Sequence, residues 1–312
     1  MVGNWAAYRG RTCLGAKRPA SCGINPSQSK PLASATLIGQ ASATLAFAAN
    51  SVFCRLALGP AAIDARSFTL VRLMAGALTL AFICVACGKG GREQFRLDVV
   101  SALALFAYAA GFSIAYRELT AGTGALLLFG AVQVTMITLG LLRGERPSGA
   151  EWLGLAVALG GLGWLVSPGL ASPPPFGATL MMLAGAAWGV YSLRGRKLGD
   201  PLQTTAANFL WAVPPGLVFF MVAKGTPFLS TPGLVWAVLS GALASGVGYA
   251  VWYATLPRLT ATRAATLQLT VPVLAALGGV IFLGETISVR LVLAALLVLG
   301  GVALAILGRR KG

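Results

Sequence analysis

The chain has 312 residues, 57% of them hydrophobic and 10% charged, with a formal net charge of +16 and no histidine. A soluble domain carries about 25% charged residues, so this chain cannot cover itself in water and needs lipid as its outer solvent. Its basic residues lie in tails and short connections between apolar runs, with no basic groove of interleaved aromatics, which excludes nucleic acid as a partner.

Residues 1–32 hold Arg9, Arg11, Lys17, Arg18 and Lys30 without a long apolar stretch. They read as a disordered basic tail on the cytoplasmic side, not as a cleavable signal peptide. A bilayer core about 30 Å thick needs about 20 helical residues. Ten segments are expected to cross it, over approximately 33–57, 67–87, 97–115, 121–142, 150–167, 176–193, 203–222, 232–253, 261–283 and 288–308. Charge, glycine or proline marks the breaks, as at Gly59-Pro60, Arg143 to Pro147, Ser172 to Pro175 and Gly284-Glu285. Between the third and fourth segments only Arg117-Glu118 interrupts the run, and two spans are expected because one helix would be far too long. The cysteines Cys13, Cys22, Cys54, Cys84 and Cys87 read as small apolar residues. Cys84 and Cys87 have metal-ligand spacing, but no second pair or histidine completes a site, so neither metal nor cofactor is expected.

The chain is also written twice. Leu119-Thr120-Ala121 matches Leu259-Thr260-Ala261, Gly144-Glu145 matches Gly284-Glu285, Ser148 matches Ser288, and Gly160-Gly161 matches Gly300-Gly301. Every pair is separated by the same number of residues, so no gap is needed. The fold expected is an all-α membrane protein of ten transmembrane helices, with five-helix repeats over 33–167 and 176–308. Placing the N-terminus inside puts Lys89, Arg92, Arg96, Arg143, Arg146, Arg194, Arg196, Lys197, Arg258, Arg263, Arg309, Arg310 and Lys311 in the cytoplasm. Only Arg55, Arg66, Arg117, Lys224 and Arg290 remain outside. Both termini are then cytoplasmic, and an odd number of spans per repeat makes the repeats inverted.

Specific runs carry a family resemblance. The fourth and fifth segments read Leu141-Leu-Arg-Gly-Glu145-Arg-Pro-Ser, Trp152-Leu-Gly-Leu and Leu159-Gly-Gly-Leu162. The ninth and tenth read Val271-Pro-Val-Leu-Ala-Ala, Phe282-Leu-Gly-Glu285-Thr and Leu299-Gly-Gly-Val302. The chain resembles the drug/metabolite transporter superfamily, ten-helix exporters with two EamA-type repeats, over about residues 33–308. Gly246-Val-Gly-Tyr-Ala-Val-Trp252 and Val271-Pro-Val-Leu-Ala are similar to amino-acid exporters of the YddG type. The resemblance implies a bundle around a central cavity, with the fifth and tenth spans at its side. It also implies a bacterial inner membrane. Val132 stands where the first repeat of such families often has the proline that Pro272 supplies in the second, so the fourth span is expected to be straighter than the ninth.

Polar groups inside a span are expensive and usually face the interior. Asn50, Gln133 and Gln268 are candidates to hold a zwitterion, or else form interhelical hydrogen bonds. Arg72 has two readings. It snorkels or pairs with Asp64, Glu118 or Glu285, or it binds a substrate carboxylate. Tyr108, Phe112, Trp188, Tyr249 and Trp252 line a cavity for apolar or aromatic side chains, or pack the core. Tyr116, Tyr253 and Trp152 read as interfacial aromatics. Pro214, Pro215 and Pro272 are candidate bends or hinges.

No span carries Asp, Glu, His or Lys near its middle, and no phosphate-cradling Gly-Lys loop is present. An enzyme or ATP-driven pump is not expected. The function expected is a secondary exporter of small amphipathic metabolites, amino acids with aromatic or apolar side chains among them, by alternating access. A phosphosugar or nucleotide-sugar exchanger of related fold, and a membrane scaffold that transports nothing, are the alternatives. The partners expected are a small-molecule substrate and membrane lipid, with a homodimer left open.

Overall fold

The structure, a computed structural model, describes residues 26–91, 96–142, 148–194, 200–255 and 267–308. Ten helices follow in chain order: α1 Pro26–Leu58, α2 Ala65–Ala86, α3 Val99–Ala115, α4 Ala121–Leu142 and α5 Gly149–Val166 make the first half. The second half holds α6 Pro175–Arg194, α7 Pro201–Val222, α8 Thr231–Thr255, α9 Val271–Leu283 and α10 Val289–Leu307. Eight are long and apolar enough to cross a membrane, and Val99–Ala115 and Leu267–Leu283 are shorter apolar helices. The first helix begins at Pro26 rather than near residue 33. Residues 258–266, with the expected start of the ninth span, lie outside the described residues, as do the candidate loop positions Glu145, Arg196 and Lys197.

Local chemistry sets the boundaries. Asp64, Asp98, Ser148, Asp200, Ser230 and Ser288 each accept a hydrogen bond from a first-turn backbone N–H, and Ser148 with Glu151 closes a capping box. Gly284 ends α9 at φ 65°, a left-handed position that glycine adopts without strain. The Arg117-Glu118 break holds, because α3 stops at Ala115 and α4 starts at Ala121.

The end bonds define the orientation of every helix. At one end, Arg55 near the C-terminus of α1 donates to Glu285 after α9 at 3.1 Å, and Glu285 accepts from the N–H of Ala121, the first residue of α4, at 2.8 Å. Asp64 before α2 accepts from the Phe228 N–H before α8 at 2.8 Å. Glu118 after α3 accepts from Gly177 in the first turn of α6 at 3.2 Å. Arg66 donates to the carbonyls of Phe220, Ala223 and Gly225 at the end of α7. Arg290 in the first turn of α10 donates to the Trp164, Leu165 and Leu170 carbonyls around the end of α5. So α1 ends where α6 begins, and the two five-helix halves run in opposite senses.

The main packing pairs respect that exchange. Helices α2 with α7, α4 with α9 and α5 with α10 map onto themselves, while α3–α6 maps onto α8–α1 and α3–α7 onto α8–α2. Helices α5 and α10 pack on each other and on α4, at the side of the bundle. The molecule is apolar outside and polar within. Leu78, Phe82, Met221, Ile281 and Leu296 are exposed, while Asn50, Arg72, Ser113, Asn208 and Ser240 are buried. This suits lipid as the surrounding solvent.

The opposite end carries Lys89–Asp200 at 2.5 Å and Arg194–Asp98 at 2.9 Å. Burial pushes both carboxyls up, but the bond from Lys89 to Asp200, those from Arg194 and Ser101 to Asp98, and the N–H groups of the following helix turns outweigh it. Both carboxyls are held below the ordinary 3.8. A carboxyl lowered by folding stabilises fully above its unfolded value and loses that contribution as pH falls through the folded one. The melting temperature of the detergent-solubilised protein should therefore hold down to about pH 5 and decline below about pH 4. Asp200→Asn should shrink that acid-side decline, and a decline unchanged in this variant would remove Asp200 from the account.

Candidate functional site

Arg72 sits about two turns into α2, the helix that α7 and α8 flank. Helix α8 approaches its backbone closely. A Cβ on Gly241 would lie 2.3 Å from the Arg72 carbonyl oxygen, so only glycine lets these backbones meet. Around that contact, residues Leu239–Val247 are wound as a π-helix. Such local widening is common at functional sites. The Ser245 hydroxyl donates to the Ser240 carbonyl at 2.9 Å, and Ser240 itself donates to Asn50 Oδ1 at 2.6 Å.

The guanidinium of Arg72 is 2% exposed. Its Nη2 donates to the Tyr108 hydroxyl at 2.9 Å, which also receives a long 3.5 Å bond from Asn50 Nδ2. The group lies over the Phe112 ring at 4.8 Å and the Tyr108 ring at 5.1 Å. Its Nη1 is buried and has no hydrogen-bond partner among the described residues.

Both structural readings of Arg72 are overturned. It does not snorkel, because its body is enclosed by α3 and α8. It does not pair with an acid either, because the three candidates are engaged elsewhere. Asp64 binds Arg66 at 3.3 Å, Glu118 accepts from Gly177, and Glu285 binds Arg55 and Ala121. Helix-end N–H groups and neighbouring arginines satisfy these carboxylates at the bundle end, leaving Arg72 deeper and alone.

Aromatic rings continue from this point. Trp188 of α6 packs on Tyr108 at 4.7 Å and on Tyr249 of α8 at 5.5 Å. Phe47 of α1 and Phe209 of α7 flank Tyr249 at 5.4 and 6.1 Å. Five of the expected residues, Asn50, Arg72, Tyr108, Phe112 and Trp188, thus meet in one cluster, with Tyr249 joined through Trp188. Trp252 lies further along, against Ala43 and edge-on to Phe47 at 5.8 Å, and its indole N–H is buried without a partner. Gln133 is half-buried on α4, and Gln268 lies just before α9. Pro214 and Pro215 sit inside an unbroken α7. Pro272 falls in the first turn of α9, where its missing N–H costs no helical bond. Helix α4 is unbroken across Val132, whereas the ninth span interrupts at Thr270.

Three contributors escape the pattern of the sequence. Ser240, Phe47 and Phe209 do not stand out from their apolar or small neighbours in the sequence, although Leu239–Val247 is dense in serine and glycine. Tyr116 is also misplaced by the interfacial reading. It is fully buried, 4.6 Å from Phe112, and donates to the Ala121 carbonyl.

Chemically, the cluster offers one fixed cation, neutral hydrogen-bonding groups and aromatic faces. Among the described residues no group of His, Cys, Asp or Glu could hold a metal ion. It can hold an anionic group beside an apolar body, and it contains nothing suited to breaking a covalent bond.

Residues 175–307 match the EamA-like transporter family. Across 72% of this chain and 76% of the relative, the sequence is 31% identical to the threonine/homoserine exporter RhtA of Salmonella typhimurium. The chain belongs to the EamA-like transporter family. A protein of Pseudomonas aeruginosa described as uncharacterized, PA1977, is 54% identical over 89% of this chain and 96% of its own length. A crystal structure 20% identical in sequence superposes with a TM-score of 0.62, covering 88% of this chain and 96% of that one. This EamA-family protein is accordingly an integral membrane transporter of a small molecule, in a family of transporters and not of enzymes.

Proposed function

We propose that this EamA-family transporter exports amino acids from the cytoplasm by alternating access, with Arg72 binding the substrate carboxylate. The observation that carries the reading is the buried Arg72 Nη1, which has no partner. A buried charged donor left unmade is costly, and an incoming carboxylate removes that cost. The exporters named among the relatives act on threonine and homoserine, which supports an amino-acid cargo. The rings of Tyr108, Phe112, Trp188 and Tyr249 favour aromatic or apolar side chains. A phosphosugar cargo fits less well, because a second cation would be needed beside Arg72, and Arg66 is spent on the carbonyls ending α7. The excess of basic residues in the Lys89 and Arg194 loops supports that end, and both termini, as cytoplasmic.

No acid or histidine lies mid-span to carry a proton, so transport is proposed to follow the substrate gradient. Proteoliposomes loaded with radiolabelled phenylalanine, leucine or threonine should release them without any pH or sodium gradient and stop at equal concentrations. Accumulation driven by an imposed proton gradient would overturn the uncoupled mechanism. Release no faster than from protein-free vesicles, for all three, would overturn the export reading.

A further inference from the structure

We infer that the site recognises the carboxylate and the aromatic body of its cargo but not its ammonium group, so that the transporter also carries aromatic monocarboxylates lacking an amine, such as arylpyruvates. The inference rests on the reading of Arg72 as the carboxylate site.

The donors and acceptors around Arg72 are unequal. On the donor side, Arg72 Nη1 is unpartnered. The Tyr108 oxygen receives hydrogen bonds from Arg72 and Asn50, which leaves its own hydrogen to point at a ligand. Two donors of this kind match the two oxygens of a carboxylate. On the acceptor side each of three oxygens already holds a donor, and what remains there is single lone pairs on neutral groups. Asn50 Oδ1 takes the Ser240 hydroxyl, the Ser240 carbonyl takes the Ser245 hydroxyl, and the Tyr108 oxygen takes two donors.

An ammonium ion in such a place needs a carboxylate, an open aromatic face or helix-end carbonyls of the kind that hold Arg66 and Arg290, and the backbone beside Arg72 lies inside helices where carbonyls are spent on helical bonds. The carboxylates are elsewhere. Asp64, Asp98, Glu118, Glu151, Asp200 and Glu285 all sit at helix ends in bonds of their own. Glu93 and Glu145 fall in the sequence between apolar segments. The ring faces next to the guanidinium already carry a cation or another ring, which leaves them to an uncharged body and not to a second cation. Tyr108 and Phe112 lie under the Arg72 guanidinium, and Trp188 is packed between Tyr108, Tyr191 and Tyr249.

A monoanion therefore neutralises the site, a zwitterion brings a second cation without a counter-charge, and an amine without a carboxylate sets two cations together. The order expected is arylpyruvate at least equal to aromatic amino acid, with arylalkylamine far behind.

The test compares three ligands that share one ring on the purified full-length protein: phenylpyruvate, L-phenylalanine and phenethylamine. Thermal-shift titration reads binding, and counterflow in proteoliposomes reads transport. Phenylpyruvate should bind no more weakly than phenylalanine, within about tenfold, and should exchange with it across the vesicle wall. Phenethylamine should do neither. Arg72→Gln should weaken the response to both carboxylates by about 10–100-fold. If phenylalanine binds in an Arg72-dependent way and phenylpyruvate does not, the inference fails while the Arg72 reading stands. If phenethylamine binds as well as phenylalanine, if Arg72→Gln changes nothing, or if neither carboxylate binds the native protein, both fail. The comparison among ligands uses the native chain, so it decides the inference even if the variant does not fold.

Discussion

Arg72→Gln is expected to raise the KM for carboxylate cargo by about 10–100-fold while leaving the melting temperature of the empty protein unchanged or higher. Hydrogen bonds to charged groups contribute about 1.5–3 kcal/mol, and each 1.4 kcal/mol is about tenfold in affinity. The stability side of the expectation has the opposite sign from most core substitutions. Arg72 is a buried cation with one donor to Tyr108 and none from Nη1. Replacing a buried charge that is incompletely paired with a neutral group is often neutral or stabilising. Lysine keeps the charge but loses the planar group that lies over Phe112 and Tyr108, so Arg72→Lys should fall between native and Arg72→Gln.

The control is Arg66→Gln. Arg66 is also buried, but its guanidinium donates to the carbonyls of Phe220, Ala223 and Gly225. Its loss leaves those carbonyls unpaired, so the melting temperature should drop while KM stays constant in the protein that remains folded. Transport kinetics and melting curves together separate the two arginines. If Arg72→Gln behaves like Arg66→Gln, Arg72 is part of the scaffold and not of the site.

The contrast between those arginines also marks how far the sequence can be read. Hydropathy and charge locate the spans because lipid allows few alternatives, while the exact starts are set by the caps Asp64, Ser148, Asp200 and Ser288, which the hydropathy pattern does not show. The doubled Gly-Glu and Gly-Gly runs announce the two halves. Within the Gly-Gly pairs the division of labour is a matter of packing: a Cβ on Gly161 would meet Val298, one on Gly301 would meet the Gly154 carbonyl, and Gly160 and Gly300 face open space. Periodicity along the helix shows that one glycine of each pair can face a partner, but not which partner.

Half of the candidate cluster is legible in the sequence. Arg72, Tyr108, Phe112 and Asn50 stand out because polar or paired aromatic groups in a span are conspicuous. The fate of Arg72 was not legible, since Asp64, Glu118 and Glu285 are all near enough in topology to pair with it. What removes them is the set of N–H groups at Phe228, Gly177 and Ala121, which belong to distant segments. Ser240 was invisible for a related reason. Its position depends on π-winding, which shifts the register of a whole turn without leaving a mark in the pattern of apolar residues.

That winding leads to the second large effect. Gly241→Ala is expected to destabilise the protein by about 1–3 kcal/mol and to cut transport of every cargo by roughly tenfold or more. The new methyl would lie 2.3 Å from the Arg72 carbonyl oxygen and 2.8 Å from the Ala75 Cβ. The first contact is with backbone, so no side chain can swing aside, and α8 must retreat from α2. The retreat draws Ser240 away from Asn50 Oδ1, a 2.6 Å bond, and loosens the wall against which Arg72 is held. Asn50 then loses the partner that fixes its amide toward Tyr108. Preference among cargos should survive, because no ligand-contacting group is changed, so the loss should fall on rate for all substrates alike. Gly300→Ala is the matched control. Nothing lies within 4 Å of a Cβ there, and alanine is the better helix former by about 0.8–1.0 kcal/mol, so that variant should melt at the native temperature or slightly above and transport normally. Equal behaviour of the two variants would mean that the close approach of α8 to α2 contributes nothing to holding the arginine in place.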